Sequence, residues 1–110
     1  MTTDATATIT GHEARGRAVL EREADGSAVV RLTDFWVAPG APDVRLYVTA
    51  REDGRVDRSA VQLGRVPDRT PELSFPVPDG VDVADLRHVV VHCTVYSVYF
   101  GAGEWLRVDR

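Results

Sequence analysis

An antiparallel β-sandwich of two sheets, built from about seven to nine short strands, is the fold this sequence predicts. Three observations carry it. No window places apolar residues at the 3.6-residue spacing of a helix. Apolar and polar residues instead alternate along short runs rich in Val, Thr and aromatics. Turn residues punctuate those runs at short intervals, as in Asp25-Gly26, Asp53-Gly54 and Pro78-Asp79-Gly80. Alternation suits two sheets packed face to face rather than a parallel sheet covered on both sides. At 110 residues the chain makes one domain with one core.

Taken in order, residues 1–11 are small and polar and read as a flexible tail, with at most a short strand over 7–10; the domain proper is expected over 12–110. Residues 16–23 alternate weakly and lead into Asp25-Gly26, where glycine supplies the positive φ of a hairpin turn. The return strand, 28–35, puts Ala28, Val30 and Leu32 inward. Two prolines and a glycine make 37–43 a loop. Residues 44–50 form the next strand, with Val44, Leu46 and Val48 on one face and Arg45, Tyr47 and Thr49 on the other. A charged turn over 51–58 is followed by a short strand at 60–63 and a proline-punctuated loop at 64–71. Leu73, Phe75 and Val77 mark a strand that Pro76 confines to an edge. Asp82 caps a helical turn over 82–86.

The longest apolar run, LRHVVVHCTVYSVYF over 86–100, organises the rest. In an extended strand Val89, Val91, Cys93 and Val95 share the core face, while His88, Val90, His92 and Thr94 share the other. The apolar set then moves to Tyr96, Val98 and Phe100, so a bulge, bend or turn is required at 95–96. Gly101 to Gly103 reads as a break and 104–108 as a last strand. One core is expected to bury Val30, Leu32, Leu46, Val48, Leu73, Phe75, Val89, Val91 and Cys93, with polar outer faces.

Composition narrows the function. A formal charge of −4 gives no general attraction for nucleic acid or anionic lipid. All 13 basic residues are arginine, so lysine Schiff-base chemistry is excluded. No segment has the apolar length of a membrane helix or a signal peptide, so no membrane insertion is expected. Read as a complete chain the protein belongs in the cytoplasm; read as an excised domain, outside it. His88 and His92 lie about 13 Å apart along a strand, too far to share an ion, and the only methionine is Met1. No metal or other cofactor is expected, and the histidines read as solvated. The chain carries no phosphate loop, nucleophile elbow or paired-cysteine motif.

The single cysteine permits no internal disulfide. Cys93 reads either as an inert core residue or as a thiol whose reactivity needs access and a nearby cation, for which Arg87 is the sequence-local candidate. Tyr96, Tyr99, Phe100 and Trp105, with Phe35-Trp36, are core by default. The first four could also form an aromatic binding surface beside the thiol.

The blocks GRAVLEREADGSAVVRLTDF, APDVRLYV, Leu63-Gly64, FPVPDGVDVADLRHVVVHC and YSVYFGAGEWL, in this order and spacing, resemble the electron-transfer DM-thirteen domain. That is a small β-sandwich module found beside DOMON domains and membrane b-type cytochromes. The resemblance runs over about 12–106. It puts the family's cysteine on Cys93, with Tyr96, Ser97, Val98, Phe100, Gly101 and Ala102 following in register and the family's Pro-Asp on Pro42 and Asp43. It implies that Cys93 is a redox moiety. His92 stands where the family has an aromatic such as tryptophan, and the glycine that precedes the 73–77 strand is absent. The expected function is therefore a single-thiol redox or electron-transfer module that acts with a partner protein, not a stand-alone enzyme. The competing expectation is a non-catalytic sandwich that binds protein or glycan, with Cys93 as packing.

Overall fold

The computed structural model describes residues 2–67, 70–95 and 98–108. Within them the chain forms two antiparallel sheets and no α-helix, as the alternation predicts. Strands are β1 (Thr2–Ile9), β2 (Ala14–Arg22), β3 (Ala28–Val37), β4 (Val44–Thr49), β5 (Val61–Arg65), β6 (Leu73–Pro76), β7 (His88–Cys93), β8 (Val98–Glu104) and β9 (Leu106–Arg107). The five-stranded sheet runs β6-β3-β2-β1-β9 and the four-stranded sheet β5-β4-β7-β8. β6 is an edge strand, as Pro76 requires. The helical turn is a single 3-10 turn, Val83–Asp85, and the Asp82 carboxylate accepts from Ala84 N at 3.1 Å. No helix of the described residues is long and apolar enough to cross a membrane.

The core lies between the sheets. Val30, Leu32, Leu46, Val48, Val89, Val91 and Cys93 are fully enclosed, Phe75 is buried, and Leu73 packs on the rim.

Five expectations need correction. The stretch read as a tail is β1, seated between β2 and β9 and paired with β2 along its length. Its inward residues Ala5, Ala7 and Ile9 are buried, and the small side chains hid an ordinary period of two. The glycines read as a break are the middle of β8. A Cβ on Gly101 would lie 2.7 Å from Ala14 O, and one on Gly103 2.4 Å from Thr8 O. Glycine is used there because β8 crosses hard against the backbone of the other sheet. Thr10 and Ala102 seal that crossing with two backbone hydrogen bonds, of 3.0 and 3.1 Å. The last strand shrinks to Leu106–Arg107.

The outer face of the four-stranded sheet is not polar throughout, because Tyr47, Thr49 and Val90 are buried on it. Tyr47 pairs across with Val90, and the Thr49 hydroxyl accepts from Arg51 N at 3.1 Å where the following turn bends back. That turn also sets Gly54 against the His88 ring, and His88 Nδ1–H donates to Arg51 O at 3.0 Å. Finally, Phe35 is core but Trp36 is 40% exposed. A bulge places Gly16 opposite Asp34 and Phe35, and Asp34 takes φ +49°. The bulge switches β3 from burying even-numbered residues to burying Phe35 and Val37, and turns Trp36 outward beneath the Arg15 guanidinium, 4.6 Å from the ring centre.

Candidate functional site

Cys93 is the last residue of β7. Its backbone pairs with Val44 of β4 on one side and Val98 of β8 on the other, and the side chain points into the core with no exposed surface. The parity change expected after Val95 is a turn: β7 stops at Cys93, Thr94 and Val95 begin the reversal, and Val98 starts β8. Tyr96, with its neighbour Ser97, lies outside the described residues.

The hairpin holding the thiol is interrupted. Val91 pairs with Gly101 but His92 pairs with Tyr99, so Phe100 is an extra residue on β8. Only two rungs, His92–Tyr99 and Cys93–Val98, lie between this bulge and the hairpin tip. Val95, Val98 and Tyr99, close in sequence at this end of the hairpin, are 59%, 44% and 54% exposed.

A second set of contacts ties the same tip to β4. Thr94 N donates to Asp43 O at 3.0 Å, and the Thr94 hydroxyl donates to the Asp43 carboxylate. Arg45 Nε reaches the other carboxylate oxygen at 3.0 Å. The hydrogen bond from Thr94, then the bond and charge of Arg45 and the charge of Arg65, hold the Asp43 carboxyl below its ordinary pKa against a smaller opposing effect of burial. Asp43 stays ionised, and a charged acceptor makes the stronger hydrogen bond.

On the outer face, directly before the thiol, His92 is half-buried between Arg45 and Tyr99. The edge of one ring meets the face of the other where His92 and Tyr47 pack, with centres 5.9 Å apart. Its Nδ1 is buried without a hydrogen-bond partner, and burial pulls its pKa below the ordinary value. The solvated reading therefore fails for His92. A groove of about 500 Å³ opens at this end, lined by Ala41, Pro42, Val44, Arg65, Val66 and Pro67; Cys93 does not reach it.

The predicted site residues that the structure describes do not assemble as one surface. Tyr99 is exposed, whereas Phe100 and Trp105 are core. Arg87 is at the opposite end of β7, about 20 Å from the thiol along an extended strand, and faces Glu52 at 3.9 Å. Among the described residues, Arg45 and Arg65 are the cations that act on Asp43 at the thiol end. Sequence reasoning missed the Asp43–Thr94 clamp, which joins residues 51 apart. Only the β4–β7 register brings them together, and nothing local announces that register.

A family model described as "Electron transfer DM13" matches residues 8–104. No curated protein and no solved structure matches the chain.

Proposed function

The chain belongs to the electron-transfer DM13 family, and from that membership we propose that Cys93 is a redox thiol serving a partner protein. What carries the reading is the coincidence of the chain's one cysteine with an interrupted part of the four-stranded sheet, two rungs beyond a bulge and beside exposed apolar residues at the hairpin's end. The chemistry open to one thiol is defined. The Cys93 thiolate attacks a partner disulfide, a mixed disulfide forms, and the partner's second sulfur leaves as thiolate. A further thiol then attacks the partner's sulfur in that mixed disulfide, forms a new disulfide with it, and releases Cys93 as thiolate. That further thiol must come from outside, because the chain has no other cysteine.

Oxidised glutathione tests this directly as a small disulfide probe. The native protein is expected to form a glutathione adduct, seen by intact mass, faster than global unfolding allows, with none on Cys93→Ser. An adduct that appears only at the global unfolding rate would refute the reading. One observation favours a second reading, a non-catalytic interaction module. The Cys93 side chain is completely enclosed among core residues, as a packing residue would be. On that reading Cys93→Ala lowers stability and changes nothing else.

A further inference from the structure

We propose that Asp43 and Thr94 are positioning residues for the thiol: their clamp holds the end of the β7–β8 hairpin closed, and Cys93 reacts only when the clamp releases. The purpose of such a clamp rests on the redox reading above, but its existence does not. A fully enclosed thiol meets no reagent until some part of the structure opens.

The contacts locate the opening. On the β8 side two rungs hold the tip beyond the Phe100 bulge, and a bulge leaves the ladder locally disrupted. On the β4 side Cys93–Val44 is the final rung, and beyond it the tip is tied down by Thr94. Thr94 does so through its backbone N–H and its hydroxyl, both directed at Asp43, which Arg45 in turn fixes. The other end of β7 is anchored differently: Arg87 N donates to Thr49 O at 2.8 Å and Trp105 N to Arg87 O at 2.8 Å. Opening is therefore polarised toward the cysteine. The exposed Val95, Val98 and Tyr99 form the outside of the part that moves.

The test is alkylation of Cys93 by iodoacetamide across low urea concentrations, set against global unfolding of the same proteins. Four chains are compared: the parent, Thr94→Val, Thr94→Ser, and Leu73→Ala on the far edge strand as a general destabilisation. The parent is expected to label with a urea slope well below that of global unfolding. Thr94→Val should label roughly tenfold faster or more, as loss of a hydrogen bond to a carboxylate implies. Thr94→Ser, which keeps the hydroxyl, should return to near the parent rate. Leu73→Ala should leave low-urea labelling unchanged. Should Thr94→Val not fold, Asp43→Asn takes its place with the same expectation. The clamp is overturned if the parent labels with the full global slope, or if Thr94→Val gains no more than its loss of global stability. Labelling that follows the clamp while no glutathione adduct forms would sink the redox reading and leave the clamp standing. Adduct formation indifferent to Thr94 would do the reverse.

Discussion

Gly103→Ala should be among the most damaging single-methyl additions this fold can receive. The added Cβ would sit 2.4 Å from Thr8 O and 2.8 Å from its carbonyl carbon, both backbone atoms of β1. A close but tolerated C···O contact is about 3.3 Å, so the two sheets must separate locally by roughly 1 Å. Overpacking a well-filled interior costs about 1–3 kcal/mol. The same displacement pulls on the paired Thr10–Ala102 hydrogen bonds, one residue away, worth about 1 kcal/mol each. Losing glycine's freedom in the unfolded chain returns about 0.4–1 kcal/mol. The net loss is about 2–4 kcal/mol, a large part of the ~5–15 kcal/mol that holds a small domain. At a slope of ~2 kcal/mol per molar, the urea midpoint should fall by about 1–2 M. Amide exchange should accelerate at Thr10 and Ala102 while the Asp25–Ser27 turn, far along β2 and β3, keeps its parent rates. A variant within about 0.5 kcal/mol of the parent would refute the idea that close backbone approach is why these positions are glycine.

Two further outcomes are expected. Burial depresses the His92 pKa, so the unfolded chain takes up a proton below about 6.5 that the folded chain resists. Its share of stability is present above that pH and is lost as pH falls, and His92→Phe should flatten the urea midpoint between pH 7.5 and 5.5. An unchanged slope in that variant would remove His92 as the source. Arg51 binds Asp53 at 2.6 Å and Asp57 at 2.7 Å, yet all three side chains are about two-fifths exposed. Arg51→Ala should therefore cost under about 1 kcal/mol, with most of that gone in 0.5 M salt, and a larger salt-independent loss would contradict it.

Much of the fold was legible because alternation is a property of neighbours in sequence. The inward sets of β3 and β4, the Asp25-Gly26 hairpin, the Asp82 cap and the edge position of β6 follow from local rules, and each stands in the structure; in β7 Val89, Val91 and Cys93 point inward as expected, but Val95, placed on the same face, lies past the strand's end and is exposed. The misread elements share a cause. Ala5 and Ala7 in β1 are small and buried, Gly101 and Gly103 in β8 are small because the backbone of the other sheet meets them, and a single sequence gives small residues the same appearance as loop or tail. The site was half legible. Parity placed Cys93 inward and required a bulge, bend or turn close after it. The clamp at Asp43, the desolvated Nδ1 of His92 and the exposure of Tyr99 all depend on which strands lie side by side.

The pairing of β1 with β9 joins Ala5 to Arg107 across almost the whole chain. Pairings so distant in sequence form slowly, because the entropy of closing the loop is lost before the contact contributes. On a ribosome, β1 is made before the other eight strands and acquires its neighbour on that side last. Throughout that interval its alternating Thr and Ala backbone groups stand as an open template for another chain, and the two-residue β9 then occupies the middle of that edge, at Ala5 and Thr6.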